Sequence, residues 1–222
     1  MKEQGYYQQS RTELLRFIPE SAKAVLDVGC GEGFFGEQLR HRGATTVAGI
    51  EFDEAAAAAA RTRLTQVVQG DIQTVPLPFE PGSFDAVVCA DVLEHLTDPW
   101  RTLTRLRTYL APGGLLVASI PNARYISLIA HLADGHWTYQ SSGLLDRDHL
   151  RFFTLAEIRD LLGRAGFRLT DLGANMGEAY GQYKNQADKR ELRYGRVHIR
   201  DLTPEEFIHF FVFQYVVQAQ VA

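Results

Sequence analysis

Apolar residues along this chain recur in two rhythms. Short, nearly continuous runs at residues 24–29, 46–50, 67–68, 84–90, 115–120 and 167–172 predict buried strands, and the last apolar run, 207–221, predicts a seventh. The segments between them read as helices. Residues 10–18 set Leu14, Leu15, Phe17 and Ile18 among charged neighbours, the pattern of an amphipathic helix that Pro19 stops. Residues 34–42 predict a helix ended by Gly43, and residues 54–64, with six alanines, predict one of high intrinsic propensity. Asp98-Pro99 supplies an N-cap and an N1 proline for a helix carrying Leu103, Leu106 and Leu110 on one face, ended by Pro112-Gly113-Gly114. Thr154-x-x-Glu157 reads as a capping box, opening a helix that closes at Gly166.

Strands alternating with helices predict an α/β fold, a largely parallel sheet covered on both faces. Two segments break the rhythm. Residues 122–151 and 174–204 are too long for simple connections and are expected to be lids or substrate-binding elements, with a homodimer contact as the alternative. The 222 residues, 45% hydrophobic, suffice for one sizeable core, so a single domain over residues 1–222 is expected. A net charge of -4 argues against general affinity for nucleic acid. Cys30 and Cys89 lie in apolar stretches and suggest a reducing compartment; residues 1–10 are polar, unlike a signal peptide, and no run of 18 apolar residues suggests a membrane span. A soluble cytoplasmic protein is the expectation.

The candidate chemistry begins at Val25-Leu26-Asp27-Val28-Gly29-Cys30-Gly31-Glu32-Gly33-Phe34-Phe35-Gly36, where a strand enters a tight turn below a helix. Glycines at that spacing let a ligand lie against bare backbone. The same residues match Gly-x-Gly-x-x-Gly, with Glu51 about 20 residues on, so a nicotinamide-dependent oxidoreductase stands as a rival reading. The strand ends favour another cofactor. In an open α/β sheet ligands bind outside the carboxyl ends of the strands, and those ends carry Asp27, Glu51, Asp71, Asp91 and Glu94. A pyrophosphate there meets like charge, at about 4 kcal/mol for a unit pair about 4 Å apart in an effective dielectric of about 20. S-adenosylmethionine brings a sulfonium, an ammonium and ribose hydroxyls, and no phosphate. An acidic rim suits it.

The chain also resembles the class I S-adenosylmethionine-dependent methyltransferases. The resemblance rests on Leu26-Asp27-Val28-Gly29-Cys30-Gly31-x-Gly33, Gly49-Ile50-Glu51, Gly70-Asp71-Ile72, Phe84-Asp85, Asp91-Val92-Leu93-Glu94-His95-Leu96 and Leu110-x-Pro112-Gly113-Gly114. It implies a Rossmann-like seven-stranded sheet in the order 3-2-1-4-5-7-6, strand 7 antiparallel. It also implies cofactor contacts: Gly29, Gly31 and Gly33 at the methionine half, Asp27 near the ammonium, Glu51 at the ribose, and Phe52, Asp71, Ile72 and Ala90 around the remainder. Arg11 with Tyr6 or Tyr7 would cover the cofactor from the N-terminal side.

Methyl transfer to a hydroxyl needs alignment, exclusion of water and removal of a proton. His95 and His149 are the candidate bases, for histidine titrates nearest neutrality. Leu145-Asp146-Arg147-Asp148-His149-Leu150-Arg151-Phe152-Phe153-Thr154 resembles a subgroup of bacterial methyltransferases associated with sugar and cell-surface glycan biosynthesis, and more loosely quinone-pathway O-methyltransferases. A small-molecule acceptor is therefore expected, a saccharide or glycan precursor first, with quinone or phenol O-methylation and N-methylation as alternatives. Asp91-x-x-Glu94-His95 with the distant His149 resembles the divalent-metal ligands of small-RNA 2′-O-methyltransferases, with Asp91 where that family has Glu. A divalent metal is thus a secondary expectation beside S-adenosylmethionine. The basic run Lys184, Lys189, Arg190, Arg193, Arg196 and Arg200 is a candidate clamp for an anionic acceptor, or a solvated face. Trp137, Tyr139 and Tyr125 are candidate walls of an acceptor pocket, and Asn122 either faces the acceptor or begins a turn. A catalytically inactive cofactor-binding partner subunit is the remaining rival.

Overall fold

The computed structural model describes residues 11–184, 186 and 190–222. After a 3-10 stretch at Thr12–Phe17 come β1 (Ala24–Val28), α1 (Phe34–His41), β2 (Thr46–Glu51), α2 (Glu54–Ala60), β3 (Gln66–Gln69) and β4 (Phe84–Ala90). A 3-10 turn at Leu93–His95 leads to α3 (Pro99–Arg107), β5 (Leu110–Pro121), α4 (Ile126–Ala133), α5 (Leu155–Arg164) and β6 (Phe167–Met176). The chain continues through α6 (Tyr180–Tyr183), β7 (Leu192–Tyr194), β8 (Val197–Ile199) and α7 (Pro204–His209) to β9 (Val212–Val221).

Seven strands form one sheet in the order β3-β2-β1-β4-β5-β9-β6. β1 to β5 run parallel, and β9 is inserted antiparallel between β5 and β6. This is the expected order, the last sheet strand being β9 because a separate hairpin, β7–β8, precedes it. Side chains alternate across the sheet, so neighbours in one strand enter different cores. Val25, Val47 and Val88 pack with Phe17, Phe35, Leu39 and Ala60 on one face. Leu26, Ile50 and Val87 pack with Leu103, Leu106, Ile158 and Leu161 on the other.

Helix starts follow their caps. Asp53 accepts from the Ala56 N–H at 2.9 Å, and Asp98 accepts from the Arg101 N–H at 2.9 Å. Several boundaries depart from the sequence pattern. The N-terminal amphipathic segment is a single 3-10 stretch entered through Arg11 in a left-handed conformation (φ 46°). α2 stops at Ala60, and Leu64 instead fills the space above Gly36 and Gly49. Leu110 belongs to β5, paired opposite Phe84, so Pro112-Gly113-Gly114 interrupts the β4–β5 register and does not end the helix. The Thr154 hydroxyl meets the Glu157 carboxylate and caps no backbone N–H. The reciprocal capping box forms at Thr203 and Glu206, opening α7. That helix takes Phe207 out of the predicted last strand, which begins at Val212.

The two long excursions share a third core. Ile126 of α4 packs with Leu192 of β7, Leu202, Phe207 of α7, Phe210 and Phe211. The later excursion is thus a buttress beneath the earlier one.

Candidate active site

At the carboxyl ends of β1 to β4 the structure opens a cavity of about 630 Å³. Gly29 and Gly31, both at positive φ (69° and 55°), form its floor. A Cβ on Gly29 would lie 2.7 Å from a Val92 methyl, so only glycine fits. Gly33 stands outside the wall. It enters α1 at φ 87°, with the Ala60 backbone 3.2 Å from where its Cβ would be. Gly36 packs still closer to Leu64 and Val47, serving helix–sheet contact.

Glu51, at the end of β2, is buried and already engaged. Its Oε2 accepts from the Gly31 N–H at 2.8 Å and its Oε1 from the Asp53 N–H at 2.9 Å. The carboxylate therefore locks the glycine loop to the next helix cap, while remaining on the cavity wall. Asp27 contrasts with it. This residue is 2% exposed, points from β1 toward the cavity, and its Oδ2 has no hydrogen-bond partner among the described residues. Burial, then the charge of Glu51, pushes its carboxyl up to about 7, with Arg11 pulling the other way. A buried acceptor left unpaired is costly unless a donor arrives. Asp27 Oδ2 is thus an acceptor suited to a cation or an N–H group.

Phe52 lines the cavity yet is 74% exposed, so it is no core residue. Asp71, Ile72 and Ala90 also line it. Gln73, which the sequence pattern did not single out, receives Thr97 N–H, Thr97 O–H and Asp98 N–H on Oε1 at 3.0, 2.6 and 3.1 Å. Its own N–H donates to Asp71 Oδ1 at 2.8 Å, tying the β3 end to the loop that bears His95. Arg11 reaches the cavity and pairs with Asp91. Tyr6, Tyr7 and Lys189 lie outside the described residues.

Asp91 separates from the other metal candidates. Held at φ 52°, it accepts from Ser119 Oγ at 3.0 Å, from Gln214 Nε2 and from Arg11. Glu94, His95 and His149 do come together, with one ligating atom of each within 4.8 Å of the others. His95 Nδ1 donates to the Asp148 carbonyl at 3.0 Å and His149 Nδ1 to the Leu144 carbonyl at 3.2 Å. A carbonyl only accepts, so both Nδ1 atoms carry a proton, and in the neutral form of each ring Nε2 keeps a lone pair. The rings meet edge to face, 4.7 Å between centroids. His149 Nε2 is 4.0 Å from Glu94 Oε1, and both Glu94 oxygens are buried with no hydrogen-bond partner among the described residues. Burial, and next the charge of Asp91, raises the Glu94 carboxyl well above the usual range. Burial, and next His95, lowers His149. Of the three, only His95 lines the cavity.

Other expected acceptor residues are placed elsewhere. Arg196 pairs with Asp134 at 2.7 Å and Arg193 lies 3.8 Å from Glu191; neither they nor Lys184, Arg190 and Arg200 line the cavity. Trp137 stacks edgewise on Phe152 and Tyr125 on Phe213. Asn122 is buried, donating from Nδ2 to the His209 and Val212 carbonyls at 3.0 and 2.7 Å, a structural corner. Ser141, Arg147 and Asp148 are what the first excursion brings to the cavity.

An open sheet of this order with a glycine floor and an acidic rim is the framework of a class I S-adenosylmethionine-dependent methyltransferase. Comparison with known proteins agrees. Residues 2–172 match a family described as a methyltransferase domain, and the chain belongs to it. It is 33% identical over 162 residues to a ubiquinone biosynthesis O-methyltransferase of Psychrobacter arcticus, covering 68% of this chain and 62% of that enzyme. The aligned region thus spans less than two thirds of that relative. The enzyme of the same name from Acinetobacter baylyi is 30% identical over 169 residues, 71% of each chain. A Thermotoga maritima methyltransferase of known structure, described as a possible histamine N-methyltransferase, shares the fold with a TM-score of 0.65 at 19% identity, over 97% of this chain and 89% of its own. Membership makes S-adenosylmethionine the cofactor and sets aside the nicotinamide reading of the glycine pattern. No helix among the described residues is long and apolar enough to cross a membrane.

Proposed function

We propose that this protein transfers the methyl group of S-adenosylmethionine to a hydroxyl of a small molecule, in a cavity whose donor end is Asp27 to Ala90 and whose acceptor end is His95 with the first excursion. The observation that carries the reading is Asp27. Its buried, unpaired Oδ2 suits the ammonium of the donor, and a cation there draws the carboxyl back to its charged form. Gly29 and Gly31 let the methionine half lie on backbone, Glu51 holds the loop and faces the ribose hydroxyls, and exposed Phe52 supplies a face for the adenine beside Asp71 and Ile72.

At the acceptor end, His95 presents Nε2 as the basic nitrogen, its tautomer fixed by the Asp148 carbonyl. His149 stands against it as the second imidazole. Held by the donor end, S-adenosylmethionine would supply an electrophilic methyl group, and His95 would take the proton of the acceptor hydroxyl.

A second reading is favoured by Glu94, a buried carboxylate with both oxygens unpaired beside two oriented Nε2 atoms. Glu94, His95 and His149 would hold a divalent cation, with the two Nδ1–H bonds to carbonyls as outer support. Such an ion would lower the pKa of the acceptor hydroxyl. Calorimetric titration with Mg²⁺, Mn²⁺ and Zn²⁺ is expected to show binding that His149→Ala abolishes; no His149-dependent binding removes the ion from the proposal.

For the acceptor, the similarity to enzymes named for ubiquinone biosynthesis favours a phenol or quinol, while the 145–154 motif favours a saccharide hydroxyl. Product formation from S-adenosylmethionine with catechols, quinols and sugars, read by mass spectrometry, decides between them. An inactive partner subunit would bind S-adenosylhomocysteine and methylate none.

A further inference from the structure

The acceptor end of the cavity is not chemically neutral. From the first excursion it receives Ser141, Arg147 and Asp148, opposite His95 and Leu96. Two arginines line the cavity, and they differ in state. Arg11 is neutralised by Asp91. The Arg147 guanidinium is exposed and makes no hydrogen bond or ion pair among the described residues. Among the described residues, Arg147 is the cation on that wall that no carboxylate pairs.

Its backbone is built in place. The Arg147 N–H donates to the Gln140 carbonyl at 3.0 Å, within a bridge that pairs Gln140 with Asp146. On the far side, Asp146 Oδ1 accepts from the Asp148 N–H at 3.0 Å and the Asp146 carbonyl from the His149 N–H at 3.0 Å. Asp146 is itself buried. The same short turn therefore carries the Arg147 guanidinium, the Asp148 carbonyl that fixes the His95 tautomer, and the His149 ring. A group bound by Arg147 therefore lies in the same cavity as His95, the imidazole proposed to activate the hydroxyl.

Resting on the methyl-transfer reading above, the geometry points to an acceptor that carries an anionic group, a carboxylate or a phosphate, beside the hydroxyl to be methylated, with Arg147 as the residue that selects it. Guanidinium recognises both anions through paired N–H donors. The cavity's other carboxylates sharpen the choice: Glu51 and Asp71 at the donor end disfavour an anion there, which leaves the Arg147 wall for it. The basic run in the second excursion lies off the cavity and plays no part in this selection.

The test uses the full chain saturated with S-adenosylhomocysteine, whose binding is confirmed first by thermal shift so that failure of the donor reading is seen separately. Calorimetry then compares matched neutral and anionic probes: catechol against 3,4-dihydroxybenzoate, and glucose against glucuronate and glucose 6-phosphate. In the wild type at least one anionic probe is expected to bind more tightly than its neutral partner. Arg147→Gln is expected to weaken that probe about tenfold or more, with Arg147→Lys restoring part and the neutral partner unchanged. The carboxylate and phosphate arms tell which anion is read. Equal binding of neutral and anionic probes, an anion preference that survives Arg147→Gln, or binding of no anionic probe by S-adenosylhomocysteine-saturated protein overturns the proposal.

Discussion

Asp27 is the residue at which burial and chemistry oppose each other. Its carboxyl sits near 7 in the folded chain against an ordinary 3.8, so the folded state binds the extra proton throughout the interval between them. Stability of the ligand-free protein is therefore expected to fall as pH rises from about 4 to about 7 and to level off above, by at most about 4 kcal/mol. Asp27→Asn should flatten that profile in thermal melts across pH and weaken S-adenosylhomocysteine binding; an unchanged slope would show that the melt's pH dependence lies elsewhere. The sequence singled out this aspartate as one of the acidic residues at the carboxyl ends of the strands. It could not say that Glu51, equally acidic, is satisfied by the Gly31 and Asp53 N–H groups, while Asp27 Oδ2 is not. That difference arises from where backbone donors point once the strands are paired.

Among the elements, helix ends offer the cleanest contrast. Thr154-x-x-Glu157 and Thr203-x-x-Glu206 have the same spelling, and the structure forms the reciprocal box only at the second. Thr203→Ala is expected to cost about 1 kcal/mol and Thr154→Ala markedly less, measured by urea denaturation of both variants. Equal losses would contradict the difference in capping. The strands and most helices were legible because a buried strand and an amphipathic helix each write their period locally. The boundaries at Leu110 and Phe207 were not. Leu110 continues a helical face in sequence yet pairs with Phe84, and Phe207 heads an apolar run yet is claimed by α7 and the third core.

Across the whole molecule, the third core joins the two excursions, packing α4 with the β7–β8 hairpin and α7. Phe207→Ala removes a fully buried ring packed on Phe211 and is expected to destabilise by about 3–5 kcal/mol. Phe207 does not line the cavity, so the folded variant at low temperature should bind S-adenosylhomocysteine as the wild type does, with a raised acceptor KM. Calorimetry and steady-state kinetics read the two quantities apart; a lost donor affinity would mean that the buttress also shapes the donor end.

The sequence by itself determined the alternating α/β order, the glycine floor and the acidic strand ends, since each depends on residues close along the chain. Only the tertiary structure decided which distant groups meet. It brought His149 to Glu94 and His95, turned Asp91 away to Arg11, Ser119 and Gln214, and set Arg147 in the cavity while leaving the basic run outside it. The placement of His149 and Arg147 follows the path of the 122–151 excursion, whose helix α4 is anchored by burial of Ile126 with Leu192 and Phe207 in one core. A periodic pattern marks such residues as apolar but carries no record of which apolar surface they will cover.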